Sequence, residues 1–155
     1  MSERLTHIDE QGRASMVDVS AKPVVHRRAV AETRFCAAAD TLDRVMSGNL
    51  PKGEALAVAR IAGIQAAKRV DALIPLCHTL PLEHVEVRFE RVEPGVVLVE
   101  ATSVVTARTG VEMEALTAVS VAALTLWDMT KAVDSNLCID GTRLVLKEKS
   151  EPAQG

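Results

Sequence analysis

The sequence is poor in aromatic side chains: 2% overall, with no Tyr, one Trp and two Phe in 155 residues. A core without large rings must be filled by smaller groups, and much of the 48% apolar content is Ala and Val. Small side chains let backbones approach closely, which predicts tight helix–sheet or subunit packing. A basic surplus is also missing. The formal net charge is −3, which argues against a general nucleic-acid binder and leaves room for a local basic pocket that takes a phosphorylated small molecule. Cysteine is sparse. Cys36, Cys77 and Cys138 are odd in number, widely spaced and form no CxxC, so neither a disulfide framework nor a zinc ribbon is supported. No apolar run approaches the length of a bilayer span, and the opening "MSERLTHIDEQGRAS" lacks the apolar stretch of a signal peptide. The expected compartment is the cytoplasm.

The length suits a single domain with a real core. Residues 1–28 are polar without a sustained period and read as an extended arm; residues 29–149 form the domain, and residues 150–155 a flexible tail. Ala29 to Cys36 alternates partly, as a strand does. Ala39, Leu42, Val45 and Met46 have helical spacing that ends at Gly48-Asn49. Glu54 to Val70 is apolar almost all round, which predicts a helix buried on several sides. Val85, Val87 and Phe89 alternate with charged residues, and Pro94-Gly95 supplies the turn of an antiparallel hairpin. Val111 to Val133 reads as a long helix and "GTRLVLKEK" as a closing strand. The order is the α+β, ferredoxin-like β-α-β-β-α-β sandwich, here with an extended N-terminal arm.

Four stretches carry chemistry. "LIPLCHTLPLEH", residues 73–84, sets Cys77 and His78 side by side among Leu, Ile and Pro. It admits three readings: a metal site, a packed turn whose polar atoms bond backbone, or one wall of a pocket. Adjacent ligands diverge and no fourth ligand is evident, which disfavours zinc. Thr109-Gly110 precedes a helix N-terminus, which attracts anions; Glu112 and Glu114 in that first turn stabilise it by a few tenths of a kcal/mol in the simplest reading. Asp128 and Lys131 share a helix face. They are an ordinary surface ion pair or, because Asp128 lies near the azimuth of Val121 and Leu124, a partly buried pair fit for proton transfer. Lys52 in "LPKGEAL" sits in a flexible turn, and Arg27 and Arg28 end the arm; each is either a phosphate ligand or a solvated cation. Glu114 and Asp128 stand roughly 21 Å apart along a straight helix, so one small-molecule site can use both only if two chains face each other.

Three blocks, "THIDEQGRASMVDVSAKP", "KGEALAVARIAGIQAAKRVDALIPLCHTLPLEHVEV" and "TGVEMEALTAVSVAALTLWDMTKAVD", together resemble the MoaC family, the cyclic pyranopterin monophosphate synthases of molybdenum cofactor biosynthesis. The likeness runs from about Leu5 to Leu146. It implies a lyase that converts 3′,8-cyclo-7,8-dihydro-GTP to cyclic pyranopterin monophosphate with release of diphosphate. It also implies a homohexamer, a trimer of dimers with the pocket at the dimer interface. No cofactor is expected, and the loop at residues 73–84 reads as a pocket wall rather than a zinc site. Carried over by motif, Leu76, Cys77, His78, Glu112, Met113, Glu114 and Arg27 bind substrate, while Asp128, Lys131 and Lys52 are catalytic. The chain departs from the family's pattern at Thr79, which predicts a looser loop, at Arg28, at Trp127 and in its tail, which leaves a role for Lys147 in doubt. A nucleotide-sensing module that keeps the pocket without catalysis, and a scaffold oligomer with structural charges, are the competing readings.

Overall fold

The computed structural model describes residues 7–152. Residues 1–6 of the expected arm and 153–155 of the expected tail lie outside the described residues. The elements are β1 (Val25–Cys36), α1 (Ala39–Met46), α2 (Ala55–Ala67), α3 (Val70–Leu73), β2 (His84–Glu93), β3 (Val96–Ala107), α4 (Glu112–Thr130) and β4 (Cys138–Ser150). The strands form one antiparallel sheet in the order β2-β3-β1-β4. This is the ferredoxin-like α+β sandwich that the order of elements predicts.

Two boundaries differ from the sequence reading. β1 begins at Val25, ahead of Ala29, so Arg27 and Arg28 are strand residues rather than the end of an arm. Their backbones pair with Val105 and Val104 of β3, and ladder hydrogen bonds hold an extended conformation that the polar letters alone do not announce. β4 begins at Cys138, before "GTRLVLKEK", and tolerates Gly141 at φ 64° because irregularities interrupt its register against β1.

One sheet face is dry. Ala29, Ala31, Thr33 and Phe35 of β1 are buried there, as are Val97, Val99, Ala101, Ser103 and Val105 of β3. α2 and α4 cover this face, and their contact is built from small residues. A Cβ at Gly63 would stand 2.9 Å from the Ala118 carbonyl oxygen and 3.3 Å from the Ala122 Cβ. The missing side chain therefore sets how closely the two helices approach. This is the physical content of the Ala-rich, ring-poor composition.

Turns place the polar residues. α1 ends at Gly48, φ 70°, where the Asn49 N–H donates to the Arg44 carbonyl at 2.8 Å, a C-terminal closure that a left-handed glycine permits. Gly53, φ 93°, closes the next turn by donating to the Leu50 carbonyl at 3.0 Å, and that turn holds out Lys52.

Candidate active site

A cavity of about 460 Å³ opens where the residues before β1, the loop after α3 and the first turn of α4 meet. Leu76, Cys77 and His78 form one wall, Glu112, Met113 and Glu114 another, and Arg27 reaches in from β1. The seven residues expected to bind substrate thus come together at one place. Among the three readings of "LIPLCHTLPLEH", the geometry favours the pocket wall. His84 begins β2 as an exposed residue, and among the described residues no group of three or more His, Cys, Asp and Glu is placed to hold a metal.

Each wall has a local cause. His78 Nε2 lies 2.7 Å from the Val17 carbonyl oxygen. A carbonyl can only accept, so Nε2 carries a proton and the ring ties the N-terminal segment down over the cavity. Arg108 Nε donates to the Lys22 carbonyl at 3.2 Å and holds the same segment from the other side. The Arg27 guanidinium donates to the carbonyls of Ala107 and Arg108, each at 3.2 Å. It is fixed by backbone acceptors, and among the described residues no carboxylate pairs with it. Thr79, where a looser loop was expected, donates its hydroxyl to Asp71 Oδ2 at 2.6 Å, which ties the loop back to α3.

Among the described residues four cations border this cavity: Lys22, Arg27, Arg108 and Lys147. Sequence reasoning found Arg27, left Lys147 in doubt and missed Lys22 and Arg108. Lys147, on β4, pairs with the Glu112 carboxylate. Its signal was faint because a lysine alternating with apolar residues on an edge strand reads as ordinary edge protection. Gly110 leaves room for the Glu112 carboxylate, which folds back over it; any side chain there would collide with that carboxylate.

Glu114 is unusual. It is 4% exposed, and burial raises its carboxyl from 4.5 to about 7, with the charges of Glu112 and Asp71 adding to the rise. Burial also pushes the Cys77 thiol up, with Glu114 contributing.

The remaining residues form a second cluster. Asp128 Oδ1 lies 2.7 Å from Lys131 Nζ, and Oδ2 lies 2.9 Å from Lys52 Nζ. Hydrogen bonds from Lys131 and then Lys52 bring the Asp128 carboxyl down to about 2. Of the two readings of this pair, the structure shows the surface ion pair and not the partly buried one: the side chains of Asp128 and Lys131 are 56% and 57% exposed. Asp128 does share a face with Leu124, but among the described residues nothing covers that face of α4, since Leu124 and Trp127 are exposed as well. None of the three residues borders the cavity. One chain therefore carries two charged clusters, one at each end of α4.

A four-stranded plait with a cation-rimmed cavity, buried acid at the start of its long helix and a lysine–aspartate–lysine cluster at its end has the features of an enzyme acting on a small anionic molecule. The MoaC family model matches residues 16–150. A cyclic pyranopterin monophosphate synthase of Chloroflexus aggregans is 55% identical over 94% of this chain and 88% of its own length. The synthase of Cereibacter sphaeroides is 57% identical over 93% and 91%, and that of Desulfitobacterium hafniense 52% identical over 92% and 88%. The chain belongs to the MoaC family.

Proposed function

We propose that this chain is a cyclic pyranopterin monophosphate synthase, a lyase that converts 3′,8-cyclo-7,8-dihydro-GTP to cyclic pyranopterin monophosphate and diphosphate in molybdenum cofactor biosynthesis. The observation that carries the reading is the cavity that sets Lys22, Arg27, Arg108 and Lys147 against Glu112 and Glu114. Cations match a triphosphate and acids match the N–H groups of a pterin-forming base.

The residues divide the work. Arg27, anchored by backbone carbonyls, offers its remaining N–H groups to phosphate oxygens. A ribose oxygen attacks the α-phosphorus, the bond to the bridging oxygen breaks, and diphosphate leaves with the bonding pair. Charge that develops on the departing oxygens is stabilised by the fixed cations. Rearrangement of the ring requires proton transfers. Glu114, raised to about 7, exchanges a proton near neutral pH. Lys131 and Lys52, oriented by Asp128, are the other proton-transfer groups. Leu76, Cys77 and Met113 shape the apolar part of the pocket, and His78 orients a ring or phosphate oxygen.

The two clusters on α4 join in one site when a second copy supplies the lysine–aspartate–lysine end to the first copy's cavity. The working form is a homo-oligomer, a hexamer built as a trimer of dimers, in the cytoplasm. No described helix is long and apolar enough to cross a membrane.

The test is to give the purified protein 3′,8-cyclo-7,8-dihydro-GTP and assay both products. Turnover is expected, and Lys131→Ala should abolish it while the oligomer stays folded. Binding without product would replace this reading with that of a nucleotide sensor.

A further inference from the structure

Cys36 and Cys138 are far apart in sequence, yet they are directly opposed partners at the end of the β1–β4 ladder. Directly opposed residues of an antiparallel pair share a sheet face, with Cα atoms roughly 4.5–5.5 Å apart. That spacing lies inside the window of about 4.4–6.8 Å that a disulfide bridges without backbone movement. Cys36 closes β1 and Cys138 opens β4, so only short connections must adjust. The pair lies on the charged face of the sheet, away from the helices, beside Arg34 and its partner Glu93, 2.6 Å apart, and beside Asp140. Cys138 is exposed and Cys36 is half-buried; both are free thiols.

We propose that Cys36 and Cys138 form a reversible redox modification site, at which a low-molecular-weight disulfide converts the two thiols to a cross-strand disulfide joining the end of β1 to the start of β4. The exposed Cys138 loses its proton to solvent, and its thiolate attacks the small disulfide. A mixed disulfide forms and one small thiolate is expelled. Cys36 then loses its proton, attacks the Cys138 sulfur and expels the second small thiolate. Two protein thiols are oxidised and one small disulfide is reduced to two thiols. Burial raises the Cys36 thiol, with Cys138 adding to the effect and Arg34 opposing it, which suits Cys36 to the resolving rather than the attacking role.

The bond has a structural consequence. β4 is an edge strand that carries Lys147 into the cavity, and its register against β1 is interrupted at Val30/Ala31 and Glu32/Arg34. The disulfide fixes the β4 start, at the end of the loop that follows α4, and so restrains the edge strand that carries Lys147. In a reducing compartment such a bond is transient and forms under oxidative load.

The experiment treats the full-length protein with oxidised glutathione, blocks remaining thiols by alkylation and maps peptides by mass. Reactive thiols should fall from three per chain to one, Cys77, with a Cys36–Cys138 peptide inside a single chain, restored by dithiothreitol. Cys77→Ser should give the same linked peptide, and Cys138→Ser should give none. A lasting glutathione adduct on Cys138 with Cys36 alkylated, linkage through Cys77 or between chains, or no reaction at the pair would overturn the proposal. Circular dichroism of each variant separates a lost fold from a lost bond.

Discussion

The Lys52 ammonium sits 2.9 Å from Asp128 Oδ2 and donates a second hydrogen bond, also 2.9 Å, to the Asp128 backbone carbonyl. A loop residue and the C-terminal part of α4 are thereby locked together, and Asp128 holds two lysines at once. Asp128→Asn keeps the shape but loses the charge that holds both ammonium groups. Because the pair is exposed, the melting temperature should stay unchanged. Turnover should fall about 100-fold or more, the usual scale of a misplaced acid–base group. Since the Asp128 carboxyl lies near 2, the wild-type rate should show no acidic limb from this residue between pH 4 and 7. Initial rates beside thermal melts check both statements.

Glu114 links pH to stability. Its folded pKa of about 7 lies above the ordinary 4.5, so the folded state keeps a proton that the unfolded chain releases. Below pH 4.5 both states are protonated and the group has no effect. As pH rises from 4.5 through 7 the unfolded state gains, and the stability of the wild type falls. Glu114→Gln removes this dependence. It should match the wild type at pH 4 and exceed it at pH 8 by roughly 3 kcal/mol. Urea unfolding at the two pH values reads the difference directly.

Gly63 is where α2 and α4 touch. Gly63→Val would drive side-chain atoms into the Ala118 carbonyl, a backbone group that cannot swing away. A loss of about 3 kcal/mol is expected, the upper range for overpacking, measured as a lower urea midpoint. An unchanged midpoint would mean that the helices are not held at this distance by small residues.

Much of the fold was legible because its signals are local. The alternation of Val85, Val87 and Phe89, the Pro94-Gly95 turn and the glycine stops each act within a few residues. β1 was read too short because residues 25–28 gain their strand conformation from β3 and β4 across the sheet. The cavity walls at residues 76–78 and 112–114 were legible as motifs. Lys22, Arg108 and Lys147 were not, because each reaches the cavity only through tertiary placement: Lys22 through the Arg108 hydrogen bond and Lys147 through strand register. The partly buried reading of Asp128 failed for a related reason. Helical azimuth says which face a residue shares, and only the neighbouring elements say whether that face is covered.

The central claim is that the two ends of α4 serve one site by way of two chains. Subunit complementation tests it most directly. His78→Ala disables the cavity end and Lys131→Ala disables the lysine cluster, and each variant alone should be inactive. Co-produced chains that mix at random should recover about one quarter of wild-type turnover, because half of the dimers are mixed and each mixed dimer has one intact site of two. Mixed dimers confirmed by mass that remain as inactive as the parents would contradict the account.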